Sequence, residues 1–240
     1  MHGLIRTGHA ARSLSVRETP ARRHELAEGL AYWAARYQEL PDRRTPPKPG
    51  GLPSKAIDSV PRLPDDGHPH NGSIAQAFHR LDRFDLFAGV ADLVDPSVET
   101  SLFLSDLTAT FARVYVRQTS RPGPFIGFLH GVTAPGAIRL LVPHVGPEAR
   151  RSLLRHGWQA AAGLQSAMSF ASSEVGEARE AAAPAVSAAP EKDAGDLVER
   201  AIATGDEHAM KFTECCLREN AIQPDPAYMK AARDAVGRLG

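Results

Sequence analysis

The stretch that decides the fold is SVETSLFLSDLTATFARVYVRQ, residues 97–118, which directly follows Pro96. Its large apolar residues recur at intervals of about three or four positions. They are Val98, Leu102, Leu104, Leu107, Phe111 and Val114. This spacing places them on one face of a helix, whereas a half-buried strand would alternate apolar and polar residues. The segment is therefore predicted to be a core helix that Pro96 opens.

The same helical spacing continues in both directions along the chain. Thr19 is a candidate N-cap with Pro20 in the first helical position, and Ser73 is a second candidate N-cap. Downstream, Thr133 is expected to cap a helix in which Pro135 comes early. Three more helical segments are predicted near the C-terminus, over 192–203, 206–220 and 226–239.

Two segments lack the helical pattern. Residues 41–71 form a Pro/Gly-rich stretch with few side chains that could join a core, and they are predicted to be a long loop. Residues 173–191 are rich in Ala, Glu and Pro and are predicted to be a flexible linker. Residues 85–94 are expected to continue the helix that Ser73 opens. The prediction is one all-α, multi-helix globular bundle over residues 1–240.

Composition excludes several classes of function. Lys+Arg and Asp+Glu both number 28, so the zero net charge does not favour nucleic acid as a partner. No apolar run reaches about 18 residues, so no membrane span is expected. The two cysteines are adjacent, which favours a reducing, cytoplasmic compartment over a disulfide framework. Gly-rich phosphate loops, GxGxxG, Gly-x-Ser-x-Gly and CxxC pairs do not occur, which argues against nucleotide-binding folds, α/β hydrolases and zinc ribbons.

Ten histidines make the chain rich in the commonest metal ligand. Several lie on or beside apolar helices or in the long loop: His2 and His9, His130 at an expected helix end, His208, and His68 with His70. A metal needs three or more donors that converge on one point. His2 and His9 are seven residues apart, or about 10 Å along a helix axis, so at most one of them can be a ligand.

Lys211 lies three residues after His208 and permits two interpretations. Glu207 is four residues before Lys211 and could form an exposed ion pair with it. Alternatively, burial beside histidines would favour the neutral amine. A neutral amine could act as a nucleophile or a base, or capture carbon dioxide as a carbamate that ligates a metal. The spacing alone leaves both interpretations open.

Several sequence blocks cover almost the whole chain in a fixed order: HGLIRTGHAARSL, LAYWAARYQELP, NGSIAQAFHRLD, LHGVTAPGAIRLLVPH and AIATGDEHAMKFTECCLRE. Together, these blocks resemble the questin oxidase-like family. The resemblance implies an all-helical oxidoreductase that acts on an aromatic polyketide or quinone. Fungal members of the family open the central ring of anthraquinones, a step assigned as Baeyer–Villiger-like and NADPH-dependent.

At least one relative instead resembles a non-haem iron dioxygenase with four histidine ligands and a carboxylated lysine. Carried over by motif, the resemblance implies Fe(II) held by His2, His130, His208 and a carboxylated Lys211, with Asp206 or Glu207 orienting the imidazoles. Dioxygen and a small aromatic or quinone molecule would be the partners. Family members usually begin well upstream with a further histidine segment, so this chain is expected to be truncated relative to them and to lack the fourth histidine.

Two alternatives remain beside the metal-dependent oxygenase. One is a metal-free, NADPH-dependent monooxygenase of the Baeyer–Villiger type, for which the chain offers no nucleotide-binding signature. The other is a non-catalytic helical binding module. The sequence leaves the substrate, the metal and the oligomeric state open, and the implied truncation predicts some exposed apolar surface.

Overall fold

The computed structural model describes residues 1–43, 50–64, 73–119, 125–169 and 194–240. Within these residues the secondary structure is helical with no β-strand, which confirms the all-α prediction. The α-helices are α1 His2–Val16, α2 Pro20–Ala35, α3 Pro53–Ala56, α4 Ile74–Leu81, α5 Thr100–Gln118, α6 Phe125–Leu141, α7 Pro147–Met168, α8 Ala194–Ala203, α9 Glu207–Ile222 and α10 Pro226–Leu239. The 3-10 helices are Ile57–Ser59, Asp85–Leu93 and Val142–His144.

The helix N-termini confirm two of the predicted caps. The Thr19 side chain accepts a hydrogen bond from the backbone N–H of Arg22, and Pro20 occupies the first turn of α2. Ser73 forms a reciprocal capping box with Gln76 at the start of α4. The predicted start of α5, directly after Pro96, was wrong by one turn. The helix begins after Glu99, whose carboxylate accepts from two backbone N–H groups of the first turn and so caps the helix.

Helix α6 is one continuous helix, so the prediction that Thr133 caps a new helix was wrong. The Thr133 hydroxyl donates to the Leu129 carbonyl at 3.1 Å, a bond made within a helix, and Pro135 lies in the helix interior. The helix tolerates this proline because α6 is the central element and packs against α1, α5, α7 and α9. Burial on nearly all sides stabilises the helix more than the lost hydrogen bond at Pro135 destabilises it.

One segment, against expectation, has the length and composition of a membrane-crossing helix. Residues Phe125–His144 have a mean hydropathy of 1.5, and 72% of this window is buried inside the protein. A core helix of a soluble protein passes the same test of length and hydropathy. The observation is therefore weak evidence for a membrane span.

The predicted loop at 41–71 contributes more to the core than its composition indicated. Residues 50–64 include α3 and a 3-10 helix, and Ala56, Ile57 and Val60 are buried. Residues 85–93 were predicted to extend an α-helix but form a 3-10 helix, which the indole N–H of Trp158 holds by donating to the Val90 carbonyl at 2.8 Å. The predicted linker 173–191 lies outside the described residues, as do 44–49 and 65–72 of the predicted loop.

Close packing sets the position of α1. A Cβ at Gly3 would lie 2.5 Å from Trp33 Cα on α2, and a Cβ at Gly8 would lie 2.8 Å from the Ala137 carbonyl oxygen on α6. Both glycines therefore permit a helix approach that any larger residue would prevent. The result is that the first turn of α1 lies beside the middle of α6.

The outer face of α2 and the adjoining turns expose large apolar side chains. Leu30 is 50% exposed and Tyr37 is 65% exposed, and Gly29 is the only buried residue of α2. Individual apolar side chains are therefore exposed along this part of the molecule.

Candidate metal centre

Three histidines that are distant in sequence meet at one point between α1, α6 and α9. His2, His130 and His208 each offer one ring nitrogen, and these nitrogens all lie within 4.8 Å of one another. The Nε2 atoms of His2 and His130 are 2.7 Å apart. The first turns of α1 and α9 thus face the middle of α6, and each helix contributes one imidazole.

His130 is the buried member of the cluster. It was expected near a helix end, but α6 begins at Phe125, so His130 lies inside the helix. Its side chain is only 3% exposed. Its Nδ1 is 2.8 Å from the Ile126 carbonyl oxygen, which can only accept, so Nδ1 carries the proton. Burial lowers the pKa of His130 to about 3, and the neutral ring therefore directs the lone pair of Nε2 toward His2.

His208 is oriented by the residue that caps its helix. The Asp206 carboxylate accepts from the backbone N–H of His208 at 2.7 Å and lies 3.1 Å from its Nδ1. Nδ1–H therefore donates to the carboxylate, which leaves the Nε2 lone pair free. A carboxylate behind a metal-binding imidazole fixes its tautomer and raises its basicity. Asp206 is one of the two residues that the sequence suggested for this role.

His2 is the most exposed of the three histidines and lies at the first position of α1. Partial burial is the main cause that lowers its pKa, and the positive charge of Lys211 and the ring of His208 lower it further, whereas Glu207 raises it. The neutral form of His2, which can bind a metal, is thus favoured around neutral pH.

Lys211 lies one turn after His208 and lines the same cavity as the three imidazoles. Its Nζ donates to the Glu207 carboxylate at 2.5 Å, and its side chain is 38% exposed. The i, i+4 ion pair that the spacing allowed is therefore present. The amine is close to the imidazoles but is held by Glu207, and its carboxylation stays a prediction.

The remaining candidate histidines do not join the cluster in the described part of the chain. His9 follows His2 by two turns, and its Nδ1 lies 3.1 Å from Nη2 of Arg12. His2 is thus the one member of the His2/His9 pair in the cluster, as the distance along a helix required. His68 and His70 lie outside the described residues.

Two cavities adjoin the histidine cluster. One, of about 590 Å³, lies between α1, α2, α6 and α9, and the other, of about 1380 Å³, extends toward α4 and α7. All three imidazoles line both cavities. Trp33, Tyr37 and Phe78 contribute aromatic side chains to the larger one. The cluster therefore lies between two cavities, from either of which a small molecule could reach it.

The donor set suits a divalent transition metal. Imidazole nitrogens bind zinc, iron, copper and nickel, and metal–nitrogen bonds of about 2.1 Å put ligand nitrogens roughly 3.0–3.4 Å apart in octahedral or tetrahedral geometry. The Nε2 atoms of His2 and His130, at 2.7 Å, are slightly closer than this range, and all three nitrogens lie within 4.8 Å of one another. Modest ring rotations would therefore bring all three to one ion. Three protein ligands would leave open positions, which is typical of catalytic sites.

No known protein family, curated protein or solved structure matches this chain. The resemblance to the questin oxidase-like family therefore rests on the quoted sequence blocks alone.

The sequence did not reveal the side chains that hold His9 in place. Arg12 lies three residues after His9, a spacing that could have indicated a contact on one helix face. Arg12 also pairs with Glu214 on α9, which is 202 residues away and which no local pattern could have connected to it.

Proposed function

We propose that this protein is a metal-dependent oxidoreductase that uses dioxygen to oxidise or cleave an aromatic polyketide or quinone. The observation that carries the proposal is the convergence of His2, His130 and His208 on one point from three helices. The rings of His130 and His208 each have Nδ1 held by an acceptor, which leaves their Nε2 lone pairs available to a metal ion.

Fe(II) is the metal we propose, because a three-imidazole site with open positions can bind dioxygen and a substrate oxygen together. The chain would hold it through the Nε2 atoms of His130 and His208 and one ring nitrogen of His2. Hydrogen bonds from the Nδ1–H groups to Ile126 and Asp206 would keep two of the rings in the ligating tautomer. A carboxylated Lys211 would add an oxygen ligand, but only after its amine separates from Glu207.

The larger cavity supports a flat aromatic substrate. Its volume of about 1380 Å³ exceeds that of most ligand pockets, and Trp33, Tyr37 and Phe78 offer surfaces on which a fused ring system could stack. Leu4 and Ile138 add aliphatic area to the same wall. Such a lining would exclude water from a bound ring while the imidazoles face its edge.

The cytoplasm is the proposed location. Cys215 and Cys216 are both free thiols buried in the core, and burial raises their pKa values, which makes them poor thiolate nucleophiles. Such residues serve as small core side chains and are compatible with a reducing compartment.

The test is oxygen uptake with a panel of hydroxylated anthraquinones. Protein loaded anaerobically with Fe(II) should consume dioxygen in proportion to the substrate that it converts, and His208→Ala should abolish the uptake. Turnover that requires NADPH and survives treatment with a chelator would favour the metal-free monooxygenase instead. Ligand binding without any turnover, in protein that has bound iron, would favour the binding module.

A further inference from the structure

The smaller cavity contains a second polar feature besides the metal centre. His9 and Ser13 lie on the same face of α1 as His2, and all three residues line the cavity of about 590 Å³. His9 is two helical turns from His2, or about 10 Å along the helix axis. The cavity therefore runs along α1 from the three imidazoles to the ring of His9.

The hydrogen bond with Arg12 fixes the tautomer of His9. A guanidinium can only donate, so Nδ1 of His9, 3.1 Å from Nη2 of Arg12, must accept. Burial is the main cause that lowers the pKa of His9, which keeps the ring neutral around neutral pH. The proton of the neutral ring is consequently on Nε2, and the ring offers an N–H donor on the side opposite Arg12.

Arg12 is itself held in place by charged groups on α9. Its Nη1 pairs with the Glu214 carboxylate, which also accepts from Nε of Arg218 at 3.2 Å. Arg218 in turn donates to the fully buried carboxylate of Glu219 at 2.6 Å. This chain of ion pairs runs into the core, so the orientation of Arg12, and with it the tautomer of His9, is set by the fold.

The two cationic side chains at the cavity are already paired. Arg6 makes two hydrogen bonds to Glu25, at 2.7 and 3.0 Å, and Lys211 pairs with Glu207. These pairs leave the Nε2–H of His9, the hydroxyls of Ser13 and Tyr32 and the histidine cluster as polar groups that a ligand along α1 could contact. Imidazole is a neutral ligand, so a divalent cation bound by the cluster would retain its charge and attract an anionic oxygen.

We propose that His9 is a ligand-orienting hydrogen-bond donor for a small molecule with an oxygen acceptor at each end. One oxygen faces the three imidazoles, and the other accepts from Nε2–H of His9 at the far end of the cavity. A single aromatic ring with a carboxylate, carbonyl or phenolate oxygen on opposite carbons has the required length once the coordination bond and the hydrogen bond are added. The metal-facing end of this inference rests on the proposed function, whereas the His9 end does not.

The first experiment needs no metal. Long-range 1H–15N correlation spectra of the metal-free protein should show His9 as the Nε2–H tautomer at pH 7.5, with Nδ1 unprotonated. Arg12→Met should remove this preference, whereas Arg6→Met, which alters the other arginine on this side of α1, should leave it unchanged. A wild-type His9 with its proton on Nδ1 would overturn the inference whatever the metal content.

The second experiment compares terephthalate, which has a carboxylate at each end, with benzoate, which has one. In cobalt-loaded protein, monitored by the visible absorption of cobalt, terephthalate should bind about tenfold more tightly than benzoate, the strength expected of one hydrogen bond to a charged acceptor. His9→Phe should abolish this difference and His9→Gln, which retains an N–H donor, should restore part of it.

Cobalt affinity separates the two proposals. It should be the same in the wild type and in His9→Phe, because His9 is not a metal ligand. Equal binding of the two probes in cobalt-loaded wild-type protein would overturn the inference and leave the metal centre standing. If cobalt does not bind at all, the proposed function fails, and the tautomer of His9 in the metal-free protein then decides the inference.

Discussion

Replacing Gly8 by alanine perturbs the contact that brings α1 to the candidate metal centre. The added Cβ would lie 2.8 Å from the Ala137 carbonyl oxygen and 3.0 Å from its Cβ, while ordinary contact begins near 3.4 Å. These atoms belong to the backbone of α6 or are attached directly to it, so they cannot rotate aside. The two helices must therefore separate by roughly 0.6 Å at this position.

Two effects of opposite sign determine the stability of Gly8→Ala. Alanine in a helix interior is favoured over glycine by about 0.5–1 kcal/mol. Overpacking of a well-packed interface costs about 1–3 kcal/mol. The steric effect is larger, so the free energy of unfolding should fall by about 1–2 kcal/mol. Because His2 belongs to the same helix, its ring should be displaced by a similar distance, and metal affinity should fall about tenfold.

Urea unfolding and cobalt titration of the same preparations measure both effects. Gly237→Ala is the matched control, because a Cβ at this position in α10 meets no heavy atom within 4 Å. It should raise the free energy of unfolding by up to about 1 kcal/mol and leave cobalt binding unchanged. If Gly8→Ala is as stable as the control and binds cobalt equally well, α1 does not contact α6 as described and the argument for His2 fails.

Three further predictions concern buried or oriented charges. The lowered pKa of His130 should make the unfolding free energy of the metal-free protein fall by about 2 kcal/mol from pH 7 to pH 5. The reason is that, below the ordinary pKa of 6.5, only the unfolded chain takes up a proton at this residue. In urea unfolding, His130→Leu should remove this part of the pH dependence. Glu219→Gln should destabilise the fold by about 3 kcal/mol, because it removes a fully buried charge that pairs with the partly buried Arg139 and Arg218. Glu25→Gln, in an exposed ion pair, should cost less than about 1 kcal/mol, and thermal or urea unfolding measures both changes. Asp206→Asn retains a helix cap but weakens the hydrogen bond to His208, so cobalt titration should show about tenfold lower affinity with little change in helix content by circular dichroism.

The helical class could be predicted from sequence because local spacing and capping residues determine it. Thr19 and Ser73 have side chains that satisfy the first backbone N–H groups of a helix, and this requirement is local. Thr133 has the same chemistry but lies inside α6, because burial between four helices overrides the signal of a threonine followed by Pro135. Tertiary packing of this kind leaves no mark in a short stretch of sequence.

The site could be predicted only in part, and for a similar reason. Helix geometry excluded one member of the His2/His9 pair, and the i, i+4 spacing anticipated the pairing of Lys211 with Glu207. The meeting of His2 with His130, which are 128 residues apart, depends on how α1 and α6 pack. Spacing carries no information on that contact, and the resemblance to a family was the one reason to group these histidines in advance.

Anaerobic titration of the metal-free protein with Fe(II), followed by X-ray absorption of the bound metal, tests the central claim most directly. We predict one ion per chain, with imidazole nitrogens at about 2.1 Å, and at least a hundredfold loss of affinity in both His130→Ala and His208→Ala. A stoichiometry well below one, or binding that neither substitution weakens, would contradict the claim that these imidazoles form a metal centre.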